Sequence, residues 1–208
     1  MFFRFAVAGL VLAFVAHRGL HTRRLDRSAP NDSGAADQTE PGEAIESMEP
    51  TALSRAASAM TLAALLLTAA YIAGVDVLDR AALPLPDAVR ASGLGVAIAG
   101  FGLLEWAHRS LAENWRDRPQ LLGTHRLITT GPYARIRHPI YLAFLAILGS
   151  TLLLSANWLV GGAWLAGVGL ETVARVRYEE SILGKHFGSA YHRYRMRTGV
   201  LVPRLRPR

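Results

Sequence analysis

The sequence predicts an all-α integral membrane protein, a bundle of about five transmembrane helices with a helical hairpin near residues 140–176. Hydrophobic residues make up 51% of the 208-residue chain, and they come in blocks without charge. The longest block covers 31 residues, 140–170, whereas about 20 apolar residues are enough for a helix to cross a bilayer. Basic residues gather between the blocks, as they do on the cytoplasmic side of membrane proteins.

The first predicted helix covers residues 1–20. Twelve apolar residues, 5–16, follow Arg4, a pattern that also fits a signal peptide. No convincing cleavage site follows them, and four arginines come at once, so we predict an uncleaved membrane helix. The next stretch, residues 26–50, holds seven of the 16 acidic residues and three prolines. It has little to bury, so we predict a disordered linker over residues 21–50.

The rest of the chain, residues 51–208, is predicted to form one membrane domain. Residues 56–75 give the second helix, and residues 91–111 give the third. Four glycines between positions 93 and 102 do not form a dinucleotide-binding fingerprint and instead favour close helix packing. The 31-residue block is too long for one crossing. Asn157 and Trp158 lie just past its middle, which predicts a tight hairpin with arms 140–155 and 158–176.

The charge distribution predicts orientation and partners. Of the 23 Lys and Arg residues, six lie in residues 109–138, nine in residues 175–208, and four directly after the first helix. All three regions fall on one side, predicted to be cytoplasmic, if the N-terminus lies outside. The net charge of +7 then indicates contact with anionic lipid rather than with nucleic acid. The chain has no cysteine, which excludes disulfides and thiolate chemistry, and we predict no metal site.

Three clusters of ionisable residues lie on the predicted cytoplasmic side, where such groups are functional candidates. They cover residues 105–115, 125–141 and 175–197. In the second cluster, Gly131 and Pro132 indicate a turn, and Pro139 can begin the next helix. His138 then lies near the helix N-cap. A helix N-terminus beside Arg137 favours a carboxylate or phosphate ligand.

The third cluster contains a pair of adjacent carboxylates. Glu179 and Glu180 point in different directions on a helix, so we expect one to face inward and one to pair with a nearby arginine. The inward one could bind a ribose hydroxyl or an ammonium group. Tyr191 and Tyr194, three residues apart, share a face and either line a pocket or anchor the membrane interface.

Two segments resemble a known family. The sequence HRLITTGPYARIRHPIY at 125–141 resembles the cofactor-site signature of the isoprenylcysteine carboxyl methyltransferase family, as does EESILGKHFGSAYHRY at 179–194. The match covers roughly residues 114–203. It implies a membrane methyltransferase that holds S-adenosylmethionine without a Rossmann domain, in a cytoplasmic pocket between the hairpin entrance and the C-terminal region.

The resemblance also implies roles for individual residues. The implied cofactor contacts are His125, Leu127, Gly131, Tyr133, His138, Pro139, Tyr141 and Glu179 or Glu180, and we add Tyr191 and Tyr194 as candidates. The arginines that match the family's acceptor site are Arg137 and Arg197. The implied acceptor is lipophilic, and its identity stays open.

Three acceptor classes fit methyl transfer: a prenyl-type carboxylate, a phospholipid amine and a small thiol. A carboxylate is ionised at neutral pH and needs only a cation to orient it. An amine needs a general base, for which Glu180 is the candidate. A membrane sterol-type reductase using NADPH is the alternative enzyme class, and a membrane scaffold without enzymatic activity is a third interpretation.

Overall fold

Five α-helices make up most of the part of the chain that the structure describes. The computed structural model describes residues 1–28, 51–111 and 127–204, without the side chains of residues 21–28. The helices are α1 (Phe2–Ser28), α2 (Ala52–Ala73), α3 (Asp87–Leu111), α4 (Pro139–Ser155) and α5 (Trp158–Arg197). Short 3-10 helices at Asp76–Ala81 and Gly131–Ala134 precede α3 and α4. Residues 29–50 of the linker predicted at 21–50 and the predicted cofactor contact His125 lie outside the described residues.

The apolar content of these helices confirms the all-α membrane bundle. Within the described ranges, four helices are long and apolar enough to cross a bilayer: Phe2–Leu20, Ala52–Ala73, Asp87–Leu111 and Trp158–Arg197. The fifth, α4, is apolar but has only 17 residues. The chain is therefore a multi-pass membrane protein with four to five apolar spans. Its orientation stays a prediction.

Two helices extend beyond their predicted ends. Helix α1 continues past residue 20 to Ser28. Helix α5 does not end near residue 176 but runs on for 40 residues in all, with a kink at Gly188, where φ is 49°. At 1.5 Å per residue a helix of this length measures about 60 Å, twice the roughly 30 Å hydrocarbon core. Its second half, which begins near residue 178, therefore extends beyond the lipid.

The tip of the hairpin forms at the residues that the sequence indicated. Ala156 ends α4 in the left-handed region, with φ of 47°. The side chain of Asn157 then accepts hydrogen bonds from the backbone N–H groups of Leu159 and Val160, which caps α5. Its amide also donates to the carbonyl of Leu78 at 2.7 Å. One asparagine thus closes the hairpin and attaches it to the segment before α3.

The helices pack as α3 against α4 and α2 against α5. A Cβ on Gly93 would lie 2.9 Å from Leu154, and one on Gly100 would lie 2.7 Å from Ile147, so these two glycines let α3 approach α4. Gly95 and Gly102 have no atom within 4 Å of such a Cβ, so the packing prediction is wrong for them.

Candidate active site

Backbone pairing joins the segment before α4 to the residues just after α5. The N–H of Arg137 donates to the carbonyl of Gly199 at 2.8 Å, and the N–H of His138 donates to Val200 at 3.0 Å. In return, the N–H of Gly199 donates to the carbonyl of Arg135 at 3.2 Å. This pairing brings the second polar cluster of the sequence against the third.

The turn at Gly131 rests on the end of α3. Gly131 has φ of 58°, and a Cβ there would lie 2.3 Å from Ser110 Oγ and 3.2 Å from Trp106 Nε1. Any other residue would be both strained and too large at this position. Beyond the turn, the buried Tyr133 is held by its carbonyl, which accepts a hydrogen bond from Tyr194 Oη at 2.8 Å.

His138 lies between the two adjacent glutamates of α5. Its Nδ1 is 3.3 Å from Glu179 Oε2, and its Nε2 is 3.4 Å from Glu180 Oε1. The residue is buried at the N-cap of α4, where its ring does not cap the helix. Burial lowers the pKa of His138, but the hydrogen bonds and charges of the two glutamates outweigh it and raise the pKa above the usual 6.5. Both glutamates therefore face the site, whereas the sequence led us to expect only one.

Arg137 is buried beside Glu180. Its Nε donates to Glu180 Oε1 at 2.6 Å, and its Nη1 donates to the carbonyls of Thr198 at 2.5 Å and Arg195 at 3.3 Å. Arg195 Nε lies 3.4 Å from Glu180 Oε2. Burial raises the pKa of Glu180, but the hydrogen bonds from His138 and Arg137 lower it more, to about 2. The ionised carboxylate of Glu180 thus holds the side chains of Arg137 and His138 in place.

Glu179 is held by a phenol as well as by the imidazole. Tyr141 Oη donates a short hydrogen bond to Glu179 Oε1. Arg175 lies four residues before Glu179 in α5, but it forms its ion pair with Glu171, which lies four residues away in the other direction. This leaves Glu179 to His138 and Tyr141.

Tyr191 supplies a buried hydroxyl to the site. The residue is 1% exposed, and its Oη lies within the reach of Glu180 without making a hydrogen bond of ordinary geometry among the described residues. Its ring lies 6.0 Å from that of Tyr194, as the shared helix face predicted. Tyr191 thus adds a buried polar group beside the Glu180 carboxylate.

The predicted site residues fall into three groups. The structure brings together Tyr133, Arg137, His138, Tyr141, Glu179, Glu180, Tyr191 and Tyr194. Gly131 forms the turn on α3, Pro139 begins α4, and Leu127 lies half-buried ahead of the turn. Arg197, the last residue of α5, is exposed and forms no hydrogen bond or ion pair within the described ranges.

Two contributors were missed by the sequence prediction. Arg195 contacts Glu180, and the Thr198 carbonyl accepts from Arg137. Arg195 could have been found, because the kinked second half of α5 carries three arginines at alternate positions, 193, 195 and 197. The carbonyl had no sequence signal, since any residue offers one.

Together these groups offer a ligand two carboxylates, a guanidinium and a phenol within a few ångströms. Such a site suits a ligand that carries a cation, hydroxyls and a carboxylate. Among the described residues, the site holds no exposed nucleophile, and the imidazole of His138 is fixed by two carboxylates. The arrangement therefore favours binding and orientation over covalent catalysis.

Comparisons with known proteins agree with the resemblance seen in the sequence. The model of the isoprenylcysteine carboxyl methyltransferase family matches residues 93–185. The fold is similar to that of the eukaryotic intramembrane Ras methyltransferase, isoprenylcysteine carboxyl methyltransferase, with a TM-score of 0.52 and 24% sequence identity. The similarity covers 76% of this chain and 54% of that one, so the chain spans about half of its length. No curated protein sequence matches the chain.

Proposed function

We propose that this chain belongs to the isoprenylcysteine carboxyl methyltransferase family, whose model matches residues 93–185, and that it transfers a methyl group from S-adenosylmethionine to the carboxylate of a lipophilic, isoprenylcysteine-like acceptor at the cytoplasmic face of the membrane. The observation that carries this proposal is the arrangement around His138. Its imidazole joins Glu179 and Glu180 between the segment before α4 and the second half of α5, beside the buried side chain of Tyr191.

The residues present fit S-adenosylmethionine. Glu179 and Glu180 match its positive charges and ribose hydroxyls, Arg195 matches its carboxylate, and Tyr191 Oη offers a further hydrogen-bonding group beside Glu180. When bound, the cofactor supplies a methyl group that the sulfonium already activates. The protein then has to bind and orient the two reactants and to exclude water between them.

The two candidate arginines have different tasks in this proposal. Arg137 is buried and occupied by Glu180 and two carbonyls, so it holds α4 to α5 and positions Glu180. Arg197 is exposed and is the better group to receive the acceptor carboxylate. A guanidinium suits this task because it can hold a carboxylate through two parallel hydrogen bonds.

The state of Glu180 favours a carboxylate acceptor over an amine. An efficient general base has a pKa near the working pH, and the hydrogen bonds from His138 and Arg137 hold the pKa of Glu180 at about 2. Such a carboxylate is a weak base, which disfavours the deprotonation that an amine acceptor requires. A carboxylate acceptor requires no proton transfer.

Cofactor class is tested by calorimetry on purified protein in detergent. We expect one S-adenosylmethionine to bind per chain and NADPH to produce no heat. Binding of NADPH in place of S-adenosylmethionine would overturn the proposal in favour of a reductase.

Acceptor class is tested with a matched pair of small molecules. An S-farnesylcysteine with a free carboxylate should accept labelled methyl, whereas the corresponding carboxamide should not. The acid and the carboxamide differ only in the reacting group, so equal labelling would show that the methyl group is transferred to an atom other than the carboxylate oxygen. Labelling of phosphatidylethanolamine but not of the acid would favour the amine alternative.

A further inference from the structure

A second group of ionisable side chains lies where α1 meets the last turns of α3. Glu105 and His108 are three residues apart and so share one face of α3. His17 of α1 faces them, with its Nε2 3.6 Å from Glu105 Oε2 and its ring stacked on His108 at 5.7 Å between centroids. One ligand atom from each of the three residues lies within 4.8 Å of the other two.

Two imidazoles and one carboxylate are a well-known ligand set. Some zinc sites bind the metal through two histidines and one glutamate, with water as the fourth ligand. Calcium and magnesium prefer oxygen ligands to imidazole nitrogen. Around a zinc ion with bonds of about 2.0–2.2 Å, tetrahedral ligand atoms stand roughly 3.3 Å apart. The His17–Glu105 separation of 3.6 Å is close to this value. All three ligand atoms lie within 4.8 Å of one another, so binding a zinc ion requires them to move closer by about 1.5 Å at most.

The carboxylate is already oriented for this task. Arg109 Nε donates to Glu105 Oε1 at 2.8 Å, which leaves Oε2 directed at His17. Hydrogen bonds of this kind fix metal-binding carboxylates in many proteins. The side chains of His17 and Glu105 are 20% and 38% exposed, so a metal ion and its water can reach them.

We propose that His17, Glu105 and His108 bind one divalent transition-metal ion of the zinc type and thereby join α1 to α3. The same end of α3 carries Trp106 and Ser110, on which the Gly131 turn rests. A metal here would stabilise the platform beneath that turn. The site contains none of the residues assigned to methyl transfer, so it stands independently of the proposed function.

The test uses full-length protein in detergent, without a polyhistidine tag, after treatment with a chelator. Zinc chloride is titrated by calorimetry, and Co²⁺ is added to a second sample to record its visible absorption. We expect one metal per chain and the absorption of a four-coordinate Co²⁺ site. Both His108→Ala and Glu105→Gln should weaken zinc binding at least about tenfold. The matched control is His192→Ala, an exposed histidine on α5, which should bind zinc as the wild type does.

Thermal unfolding separates loss of the site from loss of the fold. Zinc should raise the melting temperature of the wild type and of His192→Ala. Zinc should not raise the melting temperature of His17→Gln. In the presence of chelator, this variant and the wild type should have the same melting temperature. Absence of zinc binding by the wild type, or binding that survives both His108→Ala and Glu105→Gln, would overturn the proposal. The proposal would also be overturned if low pH without zinc raised the melting temperature of the wild type but not that of Glu105→Gln. That result would show that His17, Glu105 and His108 form a proton-dependent ion pair.

Discussion

Replacing Glu180 by glutamine removes the charge that Arg137 and His138 share. The side chains of Arg137 and Glu180 are only 5% and 15% exposed. Breaking a buried ion pair by removing one partner costs about 3–5 kcal/mol. Arg137 keeps its two carbonyl acceptors, so we expect the lower end, about 3 kcal/mol. For a chain of this size that loss lowers the melting temperature by about 6–12 °C.

The change is measured by thermal unfolding in detergent, followed by tryptophan fluorescence. The matched control is Asp87→Asn, which removes an exposed carboxylate 3.8 Å from Arg90 in the first turn of α3. Exposed pairs contribute about 0–1 kcal/mol, so this control should melt within about 4 °C of the wild type. Equal shifts in the two variants would refute the claim that Glu180 is the central charge of the site.

A double-mutant cycle isolates the pair itself. The single variants Glu180→Gln and Arg137→Gln are compared with the double variant. The two groups touch at 2.6 Å, so the second substitution should cost about 1–3 kcal/mol less when the first is present. Strictly additive losses would show that the contact contributes no coupling.

The remaining predictions concern the ligand and the imidazole. His138→Ala should abolish S-adenosylmethionine binding in calorimetry, because both glutamates lose their shared donor, and wild-type affinity would contradict this. Tyr191→Phe should keep the melting temperature but weaken cofactor binding about fivefold, because one hydrogen bond of about 1 kcal/mol is lost. Unchanged affinity would mean that Oη does not contact the cofactor. Arg197→Ala should lower turnover more than cofactor affinity, and the reverse would move it to the cofactor. Because the pKa of folded His138 is raised, its protonated form contributes stability fully below pH 6.5, and that contribution fades as the pH rises through the folded value. Melting curves against pH should therefore flatten in His138→Gln, and a parallel curve would contradict the assignment.

Local patterns in the sequence were enough to predict the hairpin, and the resemblance named the residues that the structure brings together near its base. The apolar tract interrupted at Asn157 gave both arms because a cap and a left-handed residue act within one turn of chain. The approach of the 125–141 segment to the 179–197 segment was also predictable, since a hairpin returns the chain to the same face. Which of these residues contact the cofactor stays a prediction.

Side-chain partners were harder to predict because they depend on tertiary geometry. Adjacent helix residues point about 100° apart, which led us to expect one inward glutamate. His138 overrides that expectation, since its two nitrogens lie on opposite sides of one ring and reach both carboxylates. Arg137, which the resemblance assigned to the acceptor site, donates instead to the carbonyls of Arg195 and Thr198 at the end of α5, which no local pattern marks. The end of α5 was misplaced because charge at Glu171 and Arg175 signals the membrane boundary rather than the end of a helix.

The proposed carboxyl methylation is measured as transfer of a labelled methyl group from S-adenosylmethionine to a membrane lipid extract. The purified chain is incubated with both, and the labelled product is treated with base and identified by mass. A carboxyl methyl ester releases its label as methanol, which is the predicted result, and Glu180→Gln should reduce it strongly while Asp87→Asn should not. Label that remains in a base-stable amine or thioether, or no label at all, would contradict the account.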